Sequence, residues 1–228
     1  MIRRGGNDEI RMTNDESCRG VCVKRLTNRS GAWHKRPSNA FTLIELLVVI
    51  AIIIVLAGLV LSTVGYVQKK GARARAETEI AAISAACESY KADNGVYPTD
   101  SSTTETLGPN VDPDGGDPGN SNFLSSARFL YPKISGDSDG DPSNGIEGKG
   151  YFAGALKSNM LSPNPAGPNT YIRDPFGNAY GYSTFESVNP GNANGNNPTF
   201  DIWTTCGETA KKSTETFQQY QQRWIKNW

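Results

Sequence analysis

Histidine is almost missing from this sequence: His34 is the single one in 228 residues. Residues 41–228 therefore lack an imidazole for general-base work or metal ligation. Cysteine is scarce too, with four in all. Cys18 and Cys22 stand in C-x-x-x-C spacing, and no further Cys or His follows at the spacing a zinc site needs. No Gly-x-Ser-x-Gly elbow and no phosphate-binding glycine loop is present. Without a nucleophile–base pair or a paired set of carboxylates that stands out, no enzyme is expected. A basic footprint is also lacking. Residues 41–228 hold fourteen Lys/Arg against nineteen Asp/Glu, which excludes a nucleic-acid-binding surface as the main function.

Charge and polarity vanish altogether over Leu46–Leu61 (LLVVIAIIIVLAGLVL), sixteen residues led by one carboxylate, Glu45. From Phe41 to Val64 the segment has 24 residues, about 36 Å as a helix. That is enough to cross a hydrocarbon core of about 30 Å with some tilt. Residues 1–40 hold nine Lys/Arg against four Asp/Glu, so the excess of cations predicts that this end stays cytoplasmic and the C-terminal body is exported. In an oxidising compartment, Cys87 and Cys206 could form a disulfide or remain two small buried residues, and sequence spacing does not decide between them.

The leader 1–40 has no hydrophobic periodicity, and Met12 offers an alternative start. A secretory signal places its apolar region before the cleavage site; here basic residues and Ala40 come first and the apolar run follows. Cleavage after Ala40 would leave the whole span on the mature chain.

Beyond the span, Ala76, Ile80, Ile83, Cys87 and Tyr90 recur at helical spacing. Glu77, Glu79, Glu88 and Lys91 fall elsewhere around the helix, where they can stay wet. With alanine abundant and Asn94-Gly95 as a stop, one helix of about 50 residues is expected, apolar on all sides and then on one. Gly58, Gly65 and Gly71 are its weak points. The cations Lys69, Lys70, Arg73 and Arg75 follow the span and face either solvent near the headgroups or acidic groups of neighbouring copies.

Ala40-Phe41-Thr42-Leu43-Ile44-Glu45-Leu46 and the run after it resemble the processing signal of type IV pilins and type II secretion pseudopilins. The resemblance implies a prepilin peptidase that cuts after Ala40 and N-methylates Phe41. It makes Glu45 the assembly residue, pairing with the new α-amino group of the next subunit. Ala40 replaces the commoner Gly, and the leader is long for the family. Tyr90…Asp93-Asn94-Gly95-Val96-Tyr97-Pro98 resembles the segment after the helix in the major (G-type) pseudopilin. Asp174-Pro175-Phe176-Gly177-Asn178-Ala179-Tyr180-Gly181-Tyr182 and Phe200-Asp201-Ile202-Trp203 resemble its later elements. The matched stretches are 40–98 and 174–207.

The fold expected is α+β and pilin-like, a long N-terminal helix packed on a small antiparallel sheet with long loops. Its parts are a removed leader (1–40), the transmembrane and assembly half of the helix (41–66) and an exported domain (67–228). The domain comprises variable loops (100–169), a small sheet (170–207) and a terminal segment (208–228). Within the loops, Asn122–Tyr131 reads as a short helix capped by Asn122, with Phe123, Leu124, Ala127, Leu130 and Tyr131 inward; Tyr151–Leu161 is a second short element. Asp-Pro-Phe-Gly-Asn is a turn, with Tyr180 and Tyr182 on a strand with one buried face. Phe217, Tyr220, Trp224 and Trp228 stand at helical spacing in the tail.

The resemblance implies calcium just after the Trp203 element, but Thr204–Thr209 contains no Asp, so that site is not expected here. A separate cluster, Asp137, Asp139, Asp141 and Glu147, places hard oxygens around a turn and is a calcium candidate. Taken together, these features imply a pseudopilin subunit anchored in the inner membrane, its body periplasmic. Its partners would be copies of itself, other pseudopilins, prepilin peptidase and an inner-membrane assembly platform. A surface pilin for adhesion, motility or DNA uptake is the nearest alternative. A membrane-anchored calcium- or ligand-binding domain that never polymerises is the rival from another class.

Overall fold

In the computed structural model, residues 41–152, 156–163 and 167–228 are described. Helix α1 is continuous over Leu43–Asn94, 52 residues, as the alanine-rich, breaker-free sequence predicts. It passes through Gly58, Gly65 and Gly71 without interruption, and a Cβ at any of the three would meet nothing within 4 Å. Gly95 stops it at φ 80°, its N–H closing on the Lys91 carbonyl at 2.7 Å.

The packed core lies within the unit Ala51–Trp228. On α1, Ala76, Ile80, Ile83, Ala86 and Cys87 are buried, the face that the spacing picks out, whereas Tyr90 is half-buried with its ring edge on Tyr151. Glu79 departs from expectation. It is 7 % exposed, because its neighbours supply partners: the Tyr180 hydroxyl donates to it at 2.7 Å and Arg75 Nε at 2.7 Å. A buried carboxylate survives only with such donors.

Helix α2 spans Ser121–Ser135. Its cap is Asn120, not Asn122; the Asn120 side chain accepts the Asn122 N–H at 2.8 Å. Of the residues expected inward, Phe123, Ala127, Leu130 and Tyr131 are buried and Leu124 only partly. Ile134 and Ser126 join them. Gly136 ends the helix in the left-handed region, φ 83°.

Two small antiparallel sheets complete the body. Strand β1 (Leu161–Ser162), entered from a 3-10 turn at Ser158–Met160, pairs with β2 (Tyr171–Ile172). Strand β3 (Gly181–Ser183) pairs with β4 (Asp201–Thr204), Tyr182 opposite Ile202. A four-residue helix α3 (Phe185–Val188) lies between them. Strand β5 (Ile225–Lys226) adds to the far side of β4. Every residue of β3 and β4 is buried, so the one-faced strand expected at Tyr180–Tyr182 is covered on both faces.

The reason is the alternation of neighbours on β4. Ile202 joins α1, Tyr182 and Leu130 in one cluster, while Trp203 joins Phe123, Leu107, Tyr220 and Trp224 in another. The tail is helical only over α4 (Phe217–Gln221), closed by a capping box between Thr216 and Gln219. Trp224 then stacks on Trp203 with planes 11° apart. Helical spacing beyond Gln221 was therefore coincidental, since the tail turns to hydrogen-bond with the sheet.

Glycine has opposite roles at two positions. A Cβ on Gly181 would sit 2.3 Å from Trp203 Cε2 and 2.8 Å from Phe123 Cζ, so Gly181→Ala should destabilise the body by about 1–3 kcal/mol. Gly71→Ala adds a methyl in open space and should stabilise by about 0.5–1 kcal/mol. Paired thermal melts of the two variants test this; equal shifts would refute the packing argument.

Candidate functional site

The helix start builds the first candidate site. Phe41 is 84 % exposed and Thr42 stands just before Leu43. The Thr42 hydroxyl accepts the Glu45 N–H at 3.3 Å. In return a Glu45 carboxylate oxygen accepts the Thr42 N–H and the Thr42 hydroxyl, each at 2.9 Å. This is a capping box: two otherwise unpaired donors at a helix start are satisfied reciprocally. Its signal in the sequence is the T-x-x-E spacing of Thr42 and Glu45, in which Glu45 acts as a hydrogen-bond acceptor as well as a charge. Ala40 lies outside the described residues. After this box, Leu43 through Leu61 presents its large apolar side chains on every side of the helix. Among the described residues, α1 is the one helix long and apolar enough to cross a membrane, and none of its most apolar window is buried.

The remaining motif residues hold the body together. The Tyr97 hydroxyl donates to Glu88 at 3.0 Å, and the Pro98 carbonyl accepts from Tyr182 at 2.8 Å. Asp174 closes its turn by accepting the Phe176 and Asn178 N–H groups at 3.0 and 2.7 Å, and it accepts the Thr204 hydroxyl. Burial pushes the Asp174 carboxyl up. Gly177 supplies the φ of 102°, and Pro175 sets the turn's second residue. Asp201 accepts the Asn196 and Asn197 N–H groups, both at 2.9 Å. Trp203 Nε1 donates to the Gly115 carbonyl at 2.8 Å. Both body cysteines are free: Cys87 is buried and Cys206 half-buried.

Of the four carboxylates proposed for calcium, Asp137, Asp139 and Glu147 each bring an oxygen within 4.8 Å of the others. Asp141 does not join them. Its carboxylate accepts the Ser143 N–H and hydroxyl at 3.1 and 2.6 Å, a local turn bond of the kind Asp favours, while its own N–H donates to Asp137 and Asp139. Asp137 is fully buried and accepts from the Tyr131 hydroxyl at 2.8 Å and the Gly140 N–H at 2.9 Å. Burial raises its carboxyl, and the Asp139 carboxyl beside it adds to the rise. The donor set is hard oxygen crowded at one point, which suits a hard cation.

At the other place considered for calcium, a guanidinium supplies the positive charge. Arg223 grips Glu208 through Nε and Nη2 at 2.9 and 2.6 Å. It also grips Glu215 through Nη1 and Nη2 at 2.7 and 2.8 Å. Glu208 is thereby committed, and a metal does not fit. No local spacing announced this triad, whose members stand eight and fifteen residues apart.

The comparisons bear on the helix start first. The prokaryotic N-terminal methylation motif matches residues 35–61. The type II secretion system core protein G of Vibrio cholerae serotype O1 is 38 % identical over 72 residues, 32 % of this chain and 49 % of that one. Its counterpart in Escherichia coli is 41 % identical over 69 residues, 30 % and 48 % of the two chains. Both are proteins that this chain is similar to over about a third of its own length. The counterpart of Aeromonas hydrophila is 40 % identical over 65 residues, 28 % and 46 %. The chain spans about half the length of the curated relatives it matches. No solved structure matches.

Arg223 holds the Glu215 carboxyl down to about 2 from an ordinary 4.5. A lowered carboxyl contributes stability that is present above pH 4.5 and lost as the pH falls toward 2. Arg223→Gln should therefore lower the melting temperature at pH 7 and flatten its fall between about pH 4.5 and 2 relative to wild type. Parallel melting curves over that range check it. The raised carboxyls Asp137, Asp174 and Asp201 act in the opposite sense in both proteins and cancel in the comparison.

Proposed function

We propose that this chain is a structural subunit of a type II secretion pseudopilus. Prepilin peptidase cuts between Ala40 and Phe41 and methylates Phe41. The subunit waits in the inner membrane with its body in the periplasm. It is then drawn by the assembly platform into a filament with further copies and other pseudopilins, and that filament drives exoproteins outward. The observation that carries this reading is the helix start, a lone carboxylate at the edge of an apolar stretch exposed on every side of its helix. Such a surface calls for lipid or neighbouring helices around it. The core protein G relatives support the secretion system over a surface pilin. No enzymatic role is proposed.

In the filament, the α-amino group of one subunit meets Glu45 of the next. Two properties of Glu45 separate under mutation. Glu45→Gln keeps an acceptor for the Thr42 N–H and so keeps the capping box, but removes the charge. Glu45→Ala removes both. Both variants should be processed, and both should fail to form filaments; normal filaments from Glu45→Gln would sink the charge-pairing role. Processing is read by the mobility shift of the cleaved chain, and assembly by shearing and microscopy.

A calcium ion held by Asp137, Asp139 and Glu147 would stabilise the body, a proposal supported by the convergence of those three carboxylates. Excess calcium at about a hundred times its dissociation constant should add about 2.7 kcal/mol. Asp139→Asn should abolish that gain. A melting temperature of the full chain in detergent that is indifferent to calcium and to chelator would refute the site.

A further inference from the structure

A cavity of about 660 Å³ opens beside α1 where the helix leaves its apolar stretch, lined by Lys69, Arg73, Phe176, Cys206, Glu208 and Arg223 among others. Its charges are unequal in status. Arg223 is paired with both Glu208 and Glu215, a triad with one carboxylate more than it has cations. Lys69 makes no ion pair among the described residues. Arg73 spends one guanidinium nitrogen on uncharged acceptors, the Arg223 carbonyl at 2.8 Å and Cys206 Sγ at 3.2 Å. Its Nε and Nη2 have no hydrogen-bond partner among the described residues. Lys69 and Arg73, four residues apart and so on one face of α1, are thus two cations without a carboxylate partner among the described residues, and against the extra carboxylate of the triad the net charge around the cleft is one positive.

Position says which anion they face. Lys69 lies five residues past Val64, about 7.5 Å along the helix. The headgroup layer on each side of a bilayer is roughly 5–7 Å thick. Helical side chains tilt toward the N-terminus, which here is the membrane side, and long cationic side chains reach their charge to the interface. Tyr66 and Val67, just before, are each 64 % exposed, and the Lys70 ammonium lies 5.1 Å from the Tyr66 ring centre, the kind of aromatic found at a membrane interface. Phe176 also lines a second cleft, of about 260 Å³, with Arg75 and Arg173. Asp174 lines that second cleft too and Arg75 is paired with Glu79, so the excess of cations lies on the Lys69 side of the Phe176 ring.

We propose that the cleft beside Lys69 and Arg73 holds the phosphate of an anionic phospholipid from the leaflet facing the body. This rests on the membrane-anchored reading above. The lipid phosphate would dock the body at a set height and rotation on the bilayer, and it would have to leave before the subunit does.

Cys206 lines the same cleft and reports its occupancy. The full-length chain is placed in nanodiscs of phosphatidylcholine, with or without phosphatidylglycerol, and alkylation of Cys206 by N-ethylmaleimide is followed by peptide mass spectrometry. Failure of the chain to enter discs at all would overturn the membrane reading and this inference with it. For chains that do insert, phosphatidylglycerol should slow Cys206 alkylation at least fivefold. Lys69→Gln should remove the protection and Lys69→Arg should keep it. Equal rates in the two lipids would overturn the proposal. So would protection that survives Lys69→Gln, which reports only the surface potential. Protection by millimolar inorganic phosphate in phosphatidylcholine discs would make it a free-anion site. Protection that follows the number of chains per disc would assign the cleft to a second copy. Either result also refutes the lipid.

Discussion

One constraint governs this molecule: Leu46–Leu61 is a helix with no polar side and nothing among the described residues to cover it. Full burial of a single Leu, Ile or Val is worth about 1.5–3 kcal/mol, so leaving the whole stretch in water is not an option. Lipid or the helices of neighbouring subunits must take the place of a core. The second half of α1 answers a different problem. It spends one face, from Ala76 to Cys87, on the body and leaves the other side polar. A single helix is thereby apolar on every side at one end and the spine of a packed domain at the other.

The body shows how a small sheet is made secure. Three strands of two to four residues would be marginal alone. Here both faces are covered, with Ile202 and Trp203 feeding opposite clusters, and Gly181 lets the Trp203 ring lie flat against the backbone of β3. Polar groups are tied in as carefully. Asp174 and Asp201 each gather backbone N–H groups of a turn, and Glu79 is tied through Tyr180 to the residue just before β3.

Much of this was legible beforehand. The long helix and its buried face follow from periodicity, because a one-sided helix repeats its apolar residues locally. The turn at Asp174–Asn178 follows from Pro, Gly and Asn. What stayed hidden depends on partners distant in the chain. Glu79 looks like any surface glutamate until Tyr180 is placed beside it. Trp224 continues a helical spacing that β5 overrides, and the Arg223 triad joins residues with no common spacing. Asn120 and Asn122 can both cap by residue type, and only backbone geometry distinguishes them. At the helix start the apolar span was readable, while the bonds between Thr42 and Glu45 depend on the geometry of the first turn.

The hydrogen bonds between Thr42 and Glu45 bear on how a filament could come apart as well as form. A carboxylate already satisfied within its own helix has no pressing need for another subunit. Joining a neighbour is then an exchange of partners, not the rescue of an orphan charge. For the proposed filament this means that a departing subunit has a cap of its own to close on.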